Sequence, residues 1–211
     1  TALQQFPGRN DGERTALIGI SARTVERGGT TRYVGQALRL GNVVPFESEG
    51  YQLSGEIIQR TTSDIETERR PFVIETTVPT PLAADIDVGD ELRLAGETVV
   101  SVEQRTAYTT DRADRRRVVL GVSATTREDD GTILFGDREL RIGQALPVET
   151  SEYDINGEII RRGSLDEAGE ATTRTASIAV DNVRPEIAEA IKVGQIEQVD
   201  ELTTAEIVSK D

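Results

Sequence analysis

The sequence predicts a mainly β protein: two tandem, small β-barrel-like domains, each with one short helix. Three observations predict this. The chain repeats its own pattern at a spacing of about 102–105 residues. Its apolar residues fall in short β-branched clusters separated by glycines, as in small closed or partly closed barrels. Helix-start chemistry occurs at only two places.

The repeat has two parts. Residues 16–60 align without a gap onto 118–162, with 18 of 45 positions identical. The identities include Gly19/Gly121, Gly41/Gly143, Pro45/Pro147, Tyr51/Tyr153 and the run Gly55-Glu56-Ile57-Ile58, which recurs as Gly157-Glu158-Ile159-Ile160. These are the outer and inner L segments. Residues 72–94 match 177–199 more weakly, with Val78, Ala83, Ile86, Val88 and Gly89 falling on Val183, Ala188, Ile191, Val193 and Gly194. These are the inner and outer P segments. The order L-P-L-P predicts a flexible lead-in over 1–14, a first domain over 15–110, a linker over 111–115 and a second domain over 116–211. Each L is free to pack on the P that follows it or on the one that precedes it.

Element by element, Ala16–Ala22 and Val118–Ala124 read as strands. Gly41 and Gly143, followed by Pro45 and Pro147, lead into extended stretches that end in the Gly-Glu-Ile-Ile strands. Phe72–Val78 and Ser177–Val183 read as the first strands of P. A short helix follows each. One spans Thr80–Ile86 with Thr80 as its N-cap and Pro81 behind it. The other spans Pro185–Ile191, with Pro in its first turn and Glu186 at its positive end. Two more short strands follow each Gly turn. The polar run Asp111–Arg117 joins the copies, and Glu128-Asp129-Asp130-Gly131 marks a hairpin loop.

Composition speaks to habitat. The chain of 211 residues has 38 acidic and 24 basic residues, a formal charge of −14, and no Cys, His, Met or Trp. Disulfides, thiol nucleophiles, Cys/His zinc sites, Ser-His-Asp triads and histidine switches are thereby excluded. Only Lys192 and Lys210 are lysines among the 24 basic residues, and Thr is abundant. Acid excess with scarce Lys fits a haloarchaeal-type protein in molar salt, where the Debye length is about 3 Å and carboxylate repulsion is screened. The negative charge argues against nucleic acid as a partner. No apolar run approaches the ~20 residues of a transmembrane helix.

Two stretches carry a resemblance. They are Asn182-Val183-Arg184-Pro185-Glu186 continuing to Val193-Gly194, and Phe135-Gly136-Asp137-Arg138-Glu139-Leu140-Arg141-Ile142-Gly143 continuing through Tyr153 to Gly157. Together they resemble an uncharacterised prokaryotic family, domain of unknown function family 4330. Its members share an N-terminal membrane anchor followed by P-like and L-like segments outside it. Residues 72–162 hold that P-then-L order as a unit. The resemblance implies an extracytoplasmic place, attached to the membrane through an anchor not present in this chain. It carries no catalytic residue over. The turn Val88-Gly89-Asp90 is also similar to the Gly-Asp turn of cradle-loop barrels, with equivalents at Gly41, Gly143 and Gly194.

Several residues were weighed as sites. Asp85, Asp87, Asp90 and Glu91 form the densest carboxylate cluster and could offer oxygen ligands to a hard cation. Their repeat partners are Ala190, Lys192, Gln195 and Ile196, so a solvated acidic face is the better expectation. Glu56 and Glu158, with Glu47 and Glu149, could act as acid and base if about 5–9 Å apart in a cleft. Strand alternation accounts for them equally well as outward neighbours of inward apolar residues. Tyr51 and Tyr153 read as core or rim packing with the hydroxyl reaching a partner. Arg115-Arg116-Arg117 could bind a polyanion, but flanking Asp111 and Asp114 favour the linker reading.

No catalytic set, metal site or cofactor-binding motif is expected. The function expected is non-catalytic: binding or assembly at the cell surface or envelope, with the protein itself or envelope proteins as partners. A small-ligand or transport-accessory domain is the alternative, and a carboxylate-based hydrolase the third reading.

Overall fold

The computed structural model describes residues 3–10, 12–60, 65–169, 172–199 and 202–210. Along the chain come β1 (Leu3–Pro7), β2 (Arg14–Ile18), β3 (Val25–Arg27), β4 (Thr30–Tyr33), β5 (Gln36–Ala37), β6 (Val43–Ser48), β7 (Tyr51–Glu56) and β8 (Glu68–Pro79). Then follow α1 (Thr80–Asp85), β9 (Glu91–Leu94), β10 (Glu97–Thr109), β11 (Arg115–Asp129), β12 (Thr132–Phe135), β13 (Arg138–Glu139), β14 (Ala145–Glu149) and β15 (Asp154–Arg162). The chain closes with α2 (Pro185–Ala190), β16 (Ile196–Val199) and β17 (Leu202–Glu206). The protein is mainly β, with 51% strand and two short helices, and it contains a curled half-barrel sheet. Two compact units are interleaved along the chain. One comprises Thr1–Glu68, Leu94–Glu97 and Thr126–Glu139; the other comprises Arg69–Arg93, Thr98–Thr125 and Leu140–Asp211.

The second unit holds the curled sheet, in the order β9-β10-β11-β8-β15-β14. Its centre is β11, where Val118, Val119, Leu120 and Val122 are buried in succession. Such a continuous β-branched run suits a strand covered on both faces. The stretch 111–115, expected as a linker, is instead the turn between β10 and β11, which pair antiparallel from Val100↔Ala124 to Thr109↔Arg116. Strand β15 of the inner L pairs with β8 of the inner P, with Ile159 opposite Ile74 and Glu158 opposite Glu75. So the inner L packs on the P that precedes it. Phe72, Ile74, Ile86, Leu120, Leu140, Leu146 and Ile159 are fully buried, each worth about 1.5–3 kcal/mol on transfer from water.

Two glycines let the curled sheet close. A Cβ on Gly157 would lie 2.6 Å from Ile74 Cδ1 and 2.9 Å from Ile74 Cβ. A Cβ on Gly121 would lie 2.2 Å from the carbonyl oxygen of Leu165. Bulges between Val102 and Gln104 and between Ile159 and Arg161 add local twist.

In the first unit, the segment expected as a flexible lead-in forms β1, paired with β2 from Leu3↔Ile18 to Pro7↔Arg14. Phe6 is fully buried and meets Phe135 edge-to-face at 5.1 Å between ring centroids. Apolar burial and ring geometry thus order a stretch whose Pro and Gly content reads as loop.

The duplication persists in the hydrogen bonds. Strands β6–β7 pair Val44↔Gly55 and Phe46↔Leu53; β14–β15 pair Leu146↔Gly157 and Val148↔Ile155, each shifted by 102. In P, Lys210 Nζ donates to the Ala188 carbonyl at 2.7 Å, and Arg105 donates to the Ala83 carbonyl, shifted by 105. All four Gly turns share one bond pattern. The Gly41, Gly89, Gly143 and Gly194 amides donate to Ile57, Val102, Ile159 and Ile207, whose amides donate back to Asn42, Asp90, Gln144 and Gln195.

Two expected elements differ. Helix α1 is capped by Pro79 without a side-chain bond, so Thr80 is not its N-cap. The Thr80 hydroxyl instead donates to the Ala113 carbonyl at 3.3 Å. Residues 177–183 form no strand. Their inner counterpart β8 is held between β11 and β15, and no strand flanks 177–183 among the described residues.

The outer L also keeps backbone shape where its residue resists it. Val34 has φ 47°, matching Gly136 at φ 65°. A β-branched residue there costs about 1–2 kcal/mol. Val34→Gly is therefore expected to stabilise the β4–β5 turn by about 1 kcal/mol, read as slower amide exchange across residues 30–37. Gly157→Val is expected to cost about 2–3 kcal/mol in urea unfolding at molar salt. Gly55→Val, with nothing within 4 Å of its Cβ position, should change the stability of the isolated chain by less than about 0.5 kcal/mol.

Candidate functional site

The sequence-derived candidates take up structural work in the second unit. Asp90 Oδ2 accepts the Asp87 amide at 2.8 Å and the Tyr153 hydroxyl at 2.6 Å. Glu91 accepts from the Thr98 hydroxyl at 3.0 Å and lies 3.6 Å from Arg93. No three carboxylates converge on a metal-sized site among the described residues. In the outer P, Gln195 Oε1 accepts the Lys192 amide at 2.7 Å, so this turn needs an acceptor rather than a charge.

Glu47 and Glu56 lie at opposite ends of the β6–β7 hairpin, with Glu47 opposite Gln52 and Glu56 opposite Val43. Four residues of strand separate them along the hairpin, about 13 Å at 3.3 Å per residue. Glu149 and Glu158 repeat this layout. Neither hairpin offers the 5–9 Å acid–base pair. The near neighbour of Glu158 is Glu75 on β8, directly opposite.

Arg117 explains how that like-charged pair is tolerated. Its Nη2 donates to Glu75 Oε2 at 2.7 Å and Glu167 Oε1 at 2.9 Å, and its guanidinium lies 4.9 Å from the Tyr108 ring centroid. The Tyr108 hydroxyl donates to Glu167 Oε2 at 2.6 Å. That hydrogen bond is the first cause holding the Glu167 carboxyl below its usual range, with Arg117 adding to it. It also raises the Tyr108 hydroxyl. The Arg run is therefore neither linker nor polyanion patch. Arg115 donates to the Thr77 carbonyl at 2.6 Å, and Arg116 to its neighbouring carbonyls. The sequence reading missed Glu75 and Glu167, which share no motif with Arg117 and meet it only through strand pairing and the 163–169 segment.

What remains for function is surface. Tyr153 is 6% exposed, whereas its outer copy Tyr51 is 57% exposed and stacks on Phe46 at 6.2 Å. Ile18 and Ile20 are exposed on the outer L, where their counterparts Leu120 and Val122 are buried. On the outer P, Ile178 is 83% exposed, against 0% for Val73. Val180 and Ile187 are exposed beside it. Each outer segment thus presents an apolar face that its twin buries. No helix among the described residues is long and apolar enough to cross a membrane. No family model, curated protein or solved structure matches the chain.

The Tyr153 hydroxyl is raised above its ordinary value, first by burial and then by its bond to Asp90. A raised folded value means this contribution to stability is complete below the unfolded value of about 10 and is lost as pH rises past it. Urea midpoints should therefore fall between about pH 9 and 11, and fall less steeply in Tyr153→Phe. Arg117→Met should cost about 1–2 kcal/mol at low salt and less in molar salt, since the pairs are one-third exposed and screenable.

Proposed function

We propose that this chain is a non-catalytic binding or assembly protein of the cell envelope, working in molar salt. The observation that carries the reading is the apolar face left exposed on both outer segments, with Tyr51 and Ile178 at their centres. Exposed apolar residues held on ordered hairpins suit docking to protein. The duplication supplies material for two small barrel-like domains, the second domain being built from segments that bind or assemble. The strongest titratable cluster, Arg117 with Glu75, Glu167 and Tyr108, is internally satisfied, which fits a structural role over catalysis. An extracytoplasmic, membrane-attached place follows the likeness to the anchored family. The acidic surface would be screened in such a medium, so apolar contact rather than charge sets affinity there.

The test is crosslinking on intact envelopes in about 2–3 M salt, where so acidic a fold is screened. The tagged chain is expected to be recovered with a reproducible envelope protein or as a ladder of itself. Folded protein that stays monomeric at high concentration and captures nothing would overturn the proposal.

A further inference from the structure

We infer that the outer P segment of one copy docks onto the outer L segment of a second copy, rebuilding the inner P–L pairing between chains. This rests on the assembly reading and names its partner: another copy of this chain.

The inner pair supplies the template. Subtracting 102 from the L numbers and adding 105 to the P numbers converts Glu158↔Glu75, Ile159↔Ile74 and Arg161↔Val73 into Glu56↔Val180, Ile57↔Ala179 and Gln59↔Ile178. The same conversion turns the Tyr153–Asp90 bond into Tyr51–Gln195. Gln195 Oε1 already accepts a backbone amide as Asp90 does, and Tyr51 is exposed. Three independent features fit this register. The hairpins β6–β7 and β16–β17 keep the backbone pairings of their twins yet stand as two-stranded sheets, which are marginal alone. Gly55 has open space where Gly157 meets Ile74, and the outer equivalent of Ile74 is Ala179, whose Cβ would occupy that space.

The third feature is a paired replacement. The Arg117–Glu75 ion pair lies between the inner segments, and its outer positions are Thr15 and Val180. Both charges are gone together. Loss of one alone would leave an unmatched charge in a docked interface; loss of both leaves a compatible contact. Chain order selects the source of the partner. In the inner block P precedes L, and across a head-to-tail junction the outer P of one copy again precedes the outer L of the next. The contact joins two different faces, so it propagates into a ring or filament.

The chain has no cysteine, so engineered thiols report one contact only. Glu56→Cys chains are mixed with Val180→Cys chains in about 3 M salt under mild oxidation, both substitutions being at exposed positions. A disulfide-linked heterodimer is expected, at least about tenfold above an off-register mixture of Glu56→Cys with Ser177→Cys. The double variant Glu56→Cys/Val180→Cys should give a covalent ladder, and adding Gly55→Val should abolish it while leaving the monomer's circular dichroism unchanged. No heterodimer above the off-register level, or a double variant that closes only within single chains, overturns the inference. Sedimentation of the unmodified chain separates the two claims: association without the crosslink sinks this interface alone, whereas a strict monomer sinks the assembly reading too.

Discussion

The pairing of β15 with β8 is the constraint on which the second unit depends. It places Ile159 against Ile74, brings Gly157 under the Ile74 side chain, and sets Tyr153 within reach of Asp90. Without it, the L hairpin would be a two-stranded ribbon and the P strand an unprotected edge. The pairing has an electrostatic cost, because Glu158 and Glu75 face one another across it. Arg117 offsets that cost by bonding Glu75 directly, and Glu167 and Tyr108 hold the guanidinium in place. Sequence distance is no guide to this arrangement, since Glu75 and Glu167 lie on either side of Arg117 and 92 positions apart.

Much of the backbone was legible in the sequence, and for a physical reason. Glycine repeated at equivalent positions marks backbone that only glycine adopts easily, and Gly41, Gly89, Gly143 and Gly194 all have φ between 81° and 100°. Repeated apolar residues two apart mark a strand face, which is why the hairpins at Pro45 and Pro147 recur with the same register. The helix at Pro185 was readable from its Pro and Glu186. Thr80 misled because Pro79 already fixes the entry to α1, leaving the Thr hydroxyl to the β10–β11 turn.

What was not legible is tertiary. Polar composition at 111–115 suits a linker and a tight turn equally, and only the run of antiparallel pairs on each side decides for the turn. The same holds for β1, where Phe6 finds Phe135 across more than a hundred residues of sequence. The Arg run read as a charged patch because sequence shows charge but not its partners. For the carboxylates the error ran the other way. Asp90 looked like one member of a ligand cluster, but its repeat partner Gln195 serves the same turn without charge, so hydrogen-bond acceptance is the shared requirement.

The two halves of the duplication therefore differ in surroundings rather than in build. If the outer segments were relics free to drift, the hydrogen bonds peculiar to the module would be the first to decay, because an isolated hairpin does not depend on them. They persist: Gly41 and Gly194 bond as Gly143 and Gly89 do, and Lys210 reaches the helix carbonyl that Arg105 reaches in the inner copy. Val34 even holds the left-handed turn at a steric cost its glycine counterpart avoids. The replacements fall elsewhere, at the positions that meet across the P–L boundary, and they fall in matched sets: Thr15 with Val180, and Ala179 opposite Gly55. Matched change at a boundary, with unchanged build on either side of it, is what a second boundary of the same kind requires.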